Sequence, residues 1–314
     1  MHPAEPTLAA LPNPIGRYIA ATRPPFLSVT LFGCLIGLGT AFASGHAIHW
    51  VTAVLTVVFG LLAHAGINVL NDYYDARNGT DAANTERLYP FTGGSRFIQN
   101  GVLTERETFV FGVTLMAIVF FVGLGLTYVS GPALFWIGIS GLIIGWAYSA
   151  PPLKLNSRGL GELSVAVGWI IVAVGADYVQ RHALHPLPVV ASMSYALLVT
   201  NILYINQFPD RKADARAGKR HWVVRLAPQQ TRWGYVLIAA ASYLWLIGAV
   251  LMKQLPPLTL VALVAAVPAI QAARDLLAYA AEPARLRPAI QKTIGSTSLH
   301  GLLLAVALFA SRWA

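Results

Sequence analysis

The chain has 314 residues, 56% of them hydrophobic and only 11% charged, with a mean hydropathy of +0.60. Soluble domains carry roughly a quarter of their residues as charges, so a water-facing globule is excluded and one membrane-embedded domain is expected. The net charge of +9 sits on too few residues for a nucleic-acid surface and fits basic loops flanking membrane helices. A single cysteine, Cys34, leaves no intramolecular disulfide and no cysteine-based metal site.

In chain order, residues 1–22 carry Pro3, Pro6, Pro12 and Pro14 without an apolar core. They read as a cytoplasmic tail rather than a signal peptide, and 23–314 as a single transmembrane domain. Nine stretches then approach the roughly 20 apolar residues needed to cross a bilayer: 26–44, 48–70, 107–128, 131–149, 160–180, 186–208, 232–251, 256–273 and 294–312. Backbone groups in lipid must bond within their own segment, so these continuous runs predict helices rather than barrel strands. Pro268 interrupts the eighth. All 22 Lys and Arg residues except Arg181, Lys253 and Arg312 fall in the tail or in the loops after spans two, four, six and eight. The positive-inside rule therefore puts the N-terminus and those loops in the cytoplasm and the C-terminus outside. The expected fold is an all-α integral membrane protein of the cell inner membrane, with nine transmembrane helices around an apolar cavity.

The 13 acidic residues are unevenly placed. Asp72, Asp75 and Asp81 follow span two in N-V-L-N-D-Y-Y-D-A-R-N-G-T-D (68–81), and Asp210 and Asp214 follow span six in N-Q-F-P-D-R-K-A-D (206–214). Each set has an asparagine four residues before its first aspartate, Asn68 and Asn206. Spacings of three and four put Asn68, Asp72 and Asp75 on one helix face and Asn206, Asp210 and Asp214 on another. Both spans exit on the cytoplasmic side, so the clusters can face each other. Five converging carboxylates require a cation, and oxygen ligands without nearby His or Cys suit Mg²⁺ bridging to phosphate. The same loops offer Arg77, Arg87, Arg211, Lys219, Arg220 and Arg225 to a polyphosphate. An amphiphilic diphosphate fits, with its head at the metals and its tail between the helices.

The two aspartate motifs resemble the signatures of the UbiA superfamily of intramembrane prenyltransferases. Four stretches are most similar to its menaquinone branch, the 1,4-dihydroxy-2-naphthoate polyprenyltransferases: N-D-Y-Y-D-A-R-N-G-T-D (71–81), T-G-G-S-R-F-I-Q-N-G-V-L (92–103), G-L-G-E-L (159–163) and D-R-K-A-D-A-R-A-G-K-R (210–220). Pro209 and His221-Trp222 depart from that branch's usual pattern. The resemblance implies Mg²⁺ held by Asp72, Asp75, Asp81, Asp210 and Asp214, with Asp72, Asp75, Asp210 and Asp214 catalytic. Around the substrates it implies Asn68, Asn71, Arg77, Arg87, Asn206, Arg211, Lys219 and Arg220, together with Tyr148, Lys154 and Arg158 toward the acceptor. The implied reaction moves a polyprenyl group from its diphosphate to an aromatic ring. 4-Hydroxybenzoate, homogentisate and a tetrapyrrole are the alternative acceptors.

Thr92–Arg96 is a candidate strap over the diphosphate, or a plain turn ahead of the amphipathic 97–106 stretch. Glu162 and Asp177 are acids within span five, where function is the default reading, although Glu162 also suits a helix start and Asp177 an outer structural role. His64 and His300 read as satisfied core histidines, and Tyr73, Tyr74 and Tyr204 as helix-end aromatics that could border the acceptor. An ion-coupled transporter is the rival class. Its sites would lie near the bilayer midplane on broken helices, whereas these acids gather at one surface. Neither oligomeric state nor prenyl length is legible.

Overall fold

The computed structural model describes residues 4–312; residues 1–3, with Pro3, and 313–314, the expected limits of the tail and of the membrane domain, lie outside the described residues. Twelve α-helices follow in order: α1 (Pro14–Ala21), α2 (Pro24–Ala43), α3 (Trp50–Arg77), α4 (Thr80–Ala83), α5 (Glu105–Ser130), α6 (Ala133–Ser149), α7 (Gly161–Arg181), α8 (Leu187–Arg216), α9 (Trp222–Arg225), α10 (Pro228–Leu251), α11 (Ala266–Tyr279) and α12 (Arg287–Ala310). Among the described residues, eight helical segments are long and apolar enough to cross a membrane: α2, α3, α5, α7, α8, α10, Pro257–Tyr279 and α12. The protein is thus an all-helical multi-pass membrane protein. Expected span 131–149 is α6, an apolar helix of 17 residues that reaches about 26 Å at the α-helical rise.

Local chemistry sets the boundaries. Prolines at the first turns of α2, α8, α10 and α12 occupy positions whose N–H has no intrahelical acceptor. Thr104 and Glu107 close a capping box on α5, each accepting from the other's backbone N–H at 3.2 and 2.8 Å. In the eighth expected span the interruption falls earlier than Pro268: Pro257–Ala265 winds as a 3₁₀ helix and α11 starts at Ala266. Pro268 is therefore tolerated in a first turn. The stretch 97–106 forms turns up to the start of α5, and Phe97, Val102 and Leu103 bury against Ala21 of α1, docking the tail.

α3 packs along α5, α7 lies between α2 and α8, and α12 packs on α2 and α8. At the α2–α7 crossing Gly37 allows close approach, since a Cβ there would collide with the Ala173 carbonyl. The close-packed core lies on one side of the bundle, around Ile36, Tyr195, Leu246, Leu304 and Leu308. A second cluster around Ile205, Tyr235, Leu276 and Ile290 continues it. The α3–α5–α6–α7 side instead surrounds a cavity, and its outer surface exposes Phe121, Tyr128 and Trp136, an apolar face suited to lipid.

The two helices that matter most outrun their apolar stretches. α3 continues to Arg77 and α8 to Arg216, past the expected ends at 70 and 208. The aspartates therefore stand on continuous helix, with Pro209 inside α8 and the Ile205 carbonyl left without its usual donor.

Candidate active site

Three residues apart on α3, Asp72 and Asp75 face Asp210 and Asp214, four apart on α8, with Asp81 on the short α4 beside them. One ammonium joins the two helices: Lys219 Nζ lies 3.0 Å from Asp75 Oδ1 and 3.0 Å from Asp214 Oδ1. Those oxygens are thus within two hydrogen-bond lengths of each other. Burial opposes the charge on Lys219, but Asp75 and Asp214 more than offset it and hold its pKa above the ordinary value. A second cation serves the other end. Arg23, in the left-handed conformation (φ 57°) immediately before α2, pairs with Asp72.

Neutral donors add to these ion pairs. Ser95 N–H donates to Asp72 at 3.2 Å, and Asn71 and Asn78 donate to Asp75 at 3.3 and 3.1 Å. Asn84 Nδ2 donates to Asp210 at 2.5 Å and Gly93 N–H at 3.4 Å. His221 Nε2 lies 3.0 Å from Asp214 Oδ2. The Thr92–Arg96 segment is therefore a strap tying Asp210 of α8 to Asp72 of α3 through backbone N–H groups. Gly94 (φ +73°) is required in it, because a Cβ there would lie 2.5 Å from Asp81 Oδ2. Asp81 has the weakest set of donors, with Gln99 Nε2 at 3.4 Å. Burial, then the carboxylates of Asp75 and Asp72, push its pKa well above the ordinary range.

Below the carboxylates opens an apolar cavity of about 480 Å³. It runs from Asp75, Asp210 and Lys219, past Phe59, Ile67 and Trp169, to Phe135 of α6 and Val179 of α7 near the opposite ends of those helices. Of the expected site residues, Asn68, Asn71, Asp75, Asp81, Tyr148, Asn206, Asp210, Asp214 and Lys219 line it, while Asp72 stands just behind Arg23, which also lines it.

Most of the expected cations do not reach it, and the structure corrects that expectation. Arg77 points outward to the Tyr73 hydroxyl at 2.9 Å, because two residues beyond Asp75 is nearly the opposite face of a helix. Arg87 is held by Glu5 at 2.7 Å and the Asn84 carbonyl at 2.6 Å. Arg211 donates to the Val223 carbonyl at 2.8 Å, and Arg158 to that of Pro152 at 2.8 Å. Lys154 and Arg220 also lie outside the lining; the Arg220 backbone N–H donates to the Ser157 carbonyl at 2.7 Å and pins the loops together.

Sequence reasoning missed Arg23, Asn84 and Gln207, and noted His221 only as a departure. His221 carried a signal, being a histidine seven residues beyond Asp214 in an acid-rich segment; Arg23 carried none beyond its place before two prolines. Several secondary readings hold. His300 is a core histidine, 3.0 Å from Ser194 Oγ and 3.3 Å from the Ala262 carbonyl. His64 bonds Thr30 at 2.8 Å, although it also lines the cavity. Asp177 is structural, buried against Arg181 at 2.7 Å and Thr40 at 2.8 Å.

The donor chemistry fits a hard divalent cation. All the candidate ligands, on Asp72, Asp75, Asp81, Asp210 and Asp214, are oxygens. Among the described residues no three His, Cys, Asp or Glu side chains gather as a ready-made metal cluster; cationic side chains stand between the carboxylates. Mg²⁺ commonly takes one or two protein carboxylates and completes its shell with waters and substrate phosphates, so such a cluster is not required.

Residues 30–291 match the sequence profile of the UbiA prenyltransferase family. The chain is 28% identical over 305 residues to the 1,4-dihydroxy-2-naphthoate octaprenyltransferase of Escherichia coli (strain K12), covering 95% of this chain and 96% of that one. It is 30% identical over 259 residues to the Mycobacterium tuberculosis protein of the same name, covering 82% and 85%. A UbiA homolog from Archaeoglobus fulgidus, solved bound to GPP and Mg²⁺, shares the fold with a TM-score of 0.66 at 15% identity over 95% of this chain and 100% of that one.

Proposed function

The chain belongs to the UbiA prenyltransferase family, and from that premise we propose that this membrane polyprenyltransferase alkylates 1,4-dihydroxy-2-naphthoate with a polyprenyl diphosphate. The observation that carries the reading is the Lys219 bridge between Asp75 and Asp214 at the mouth of the apolar cavity. It provides charge for a diphosphate directly above room for a hydrocarbon. Relatives named as naphthoate octaprenyltransferases over nearly the full length support the acceptor.

Asp72, Asp75, Asp81, Asp210 and Asp214 would hold Mg²⁺, which when bound neutralises the diphosphate as its charge grows. Lys219 and Arg23, paired with carboxylates here, would turn to phosphate oxygens where the metal takes over those carboxylates. The Gly93 and Ser95 N–H groups donate to Asp210 and Asp72 and hold those two carboxylates in place for the metal. Ionisation breaks the allylic C–O bond and leaves the electron pair on the departing diphosphate. The electron-rich ring then attacks the cation, and its carboxylate leaves as CO₂ in place of a proton. Aromatic and aliphatic walls of the cavity exclude the water that would otherwise capture the cation. Tyr148 and Asn206 stand beside the acceptor.

The topology that goes with this reading has nine spans, counting α6, in the inner membrane. A cytoplasmic tail (1–22) precedes one membrane domain (23–314), the outer terminus is the C-terminus, and the site opens to the cytoplasm. The asymmetry of Lys and Arg supports that orientation. The test is competition: purified protein with Mg²⁺, labelled polyprenyl diphosphate and equimolar dihydroxynaphthoate and 4-hydroxybenzoate. Prenylated naphthoate with release of CO₂ is expected to dominate. Prenylated hydroxybenzoate as the main product would overturn the acceptor.

A further inference from the structure

A polar pair at the α7–α8 contact has no part in the chemistry above. Gln207 Nε2 donates to Glu162 Oε1 at 2.9 Å. A carboxylate only accepts, so the amide must turn its NH₂ to Glu162, and its carbonyl oxygen faces the other way. That oxygen, Gln207 Oε1, is buried without a partner, on a side chain that is 6% exposed and lines the cavity. One residue earlier, Asn206 Oδ1 is also buried without a partner on a cavity-lining side chain. Buried acceptors are nearly always satisfied, so two neighbouring unpaired ones on a cavity wall call for a ligand that donates.

Their position says which end of the reaction they serve. Gln207, Asp210 and Asp214 follow the i, i+3, i+7 face of α8, and Asn206 lies one turn before Asp210. The two carbonyl oxygens therefore sit about one helical turn deeper than the carboxylates, on the side of the cavity where the proposed reaction has the prenyl chain leave the diphosphate. An oxygen-acceptor pair there has nothing to offer a phosphate or a hydrocarbon. It suits a neutral hydroxyl.

We propose that Glu162 is a positioning residue: by fixing the Gln207 amide, it presents the carbonyl oxygens of Gln207 and Asn206 to the phenolic hydroxyls of the aromatic acceptor. The inference rests on the reading of this site as one that prenylates a hydroxylated aromatic, but not on which aromatic. A site built to accept from a substrate hydroxyl discriminates strongly against an analogue lacking that proton, so this pair sets the ring's orientation with its reactive carbon toward the prenyl group.

The test compares wild type, Glu162→Gln and the exchange E162Q/Q207E in vesicles, with Mg²⁺ and polyprenyl diphosphate. The acceptor is whichever hydroxylated aromatic the wild type prenylates, together with its mono-O-methyl ether. In E162Q position 162 gains a donor, so the Gln207 amide is free to flip and offer NH₂ to the cavity. Acceptor KM is expected to rise about tenfold, roughly one hydrogen bond. KM for the donor should stay within about twofold, and the preference for the free hydroxyl over its ether should shrink by a similar factor. In the exchanged pair one amide donates to one carboxylate and an accepting oxygen again faces the cavity, which is expected to restore acceptor KM and ether discrimination. Unchanged acceptor KM in E162Q would overturn the inference. So would donor and acceptor KM rising together with ether discrimination intact, the pattern of a merely structural contact. Wild-type protein that prenylates hydroxybenzoate but not naphthoate overturns the acceptor named earlier and leaves this measurement readable on hydroxybenzoate. Wild type that prenylates no hydroxylated aromatic overturns both.

Discussion

Replacing Lys219 by methionine keeps a flexible stem of similar length and removes the ammonium that lies 3.0 Å from both Asp75 and Asp214. At that distance and an effective dielectric of about 20, each contact carries about 5 kcal/mol of Coulomb attraction. Desolvation of the three groups offsets much of it. Removing one member of a buried ion pair nonetheless leaves an uncompensated charge and a net loss of about 3–5 kcal/mol. At roughly 2–3 °C of Tm per kcal/mol for a chain of this size, K219M in detergent is expected to melt about 10 °C below wild type without metal. The two carboxylates then face each other with no cation between them. Added Mg²⁺ is accordingly expected to raise the Tm of the variant by more than it raises that of wild type, where the ammonium must first be displaced. Intrinsic-fluorescence melts of both proteins, with chelator and with Mg²⁺, read both effects. A variant that melts with wild type, or gains no more from Mg²⁺, would refute the reasoning that one ammonium holds the two helices' carboxylates together.

Asp75→Ala and Asp210→Ala are each expected to cut kcat/KM for prenyl transfer by at least about 10³-fold, with the protein still inserted and folded by gel filtration and circular dichroism; near-wild-type turnover at saturating Mg²⁺ would show that the carboxylates are not metal ligands. Asp81 supplies a pH test. Its carboxyl is held well above the ordinary value of 3.8, first by burial and then by Asp75 and Asp72. Such a group binds its proton more tightly folded than unfolded, so its contribution to stability is whole below that ordinary value and is lost as pH climbs through the raised one. Metal-free wild type is expected to melt progressively lower as pH rises from about 4 through that window. D81N should flatten the dependence, and an equal slope in the two proteins would refute the assignment.

How much of this could be read beforehand follows from which features are one-dimensional. Membrane spans are, because a continuous apolar run reports its own burial; α2, α5, α7, α10 and α12 therefore overlap their expected stretches. Helix ends are not. The runs stop at 70 and 208 where hydropathy drops, but α3 and α8 continue to Arg77 and Arg216, because the polar ends still pack against α4, α9 and the loops between them. The aspartate clusters were legible for the same reason as the spans: a spacing of three or four fixes a face once the helix is granted, and same-side exits bring two faces together.

The cations were not legible, and the reason is general to proteins of this kind. The positive-inside rule loads one side of the membrane with arginine and lysine for reasons of topology, so every basic residue there looks equally available to a phosphate. What separates Lys219 from Arg77, Arg211 and Arg220 is rotation about a helix and the fold of two short loops, information that sequence spacing carries only along a single element. Arg77 fails by two residues, and Arg220 by one. Arg23 succeeds from the residue just past that tail, before two prolines, where composition alone suggests only solvent. His221 replaces a residue usual in the branch yet bonds Asp214 at 3.0 Å, which shows that a departure from a family pattern can sit within the charge network. The same argument locates Glu162 and Gln207. They lie forty-five residues apart in sequence, Glu162 noted only as an acid within a span and Gln207 only as a letter of the second motif. They become a unit only where α7 crosses α8, so a site that recognises a neutral hydroxyl leaves far less trace in a sequence than one that gathers five carboxylates.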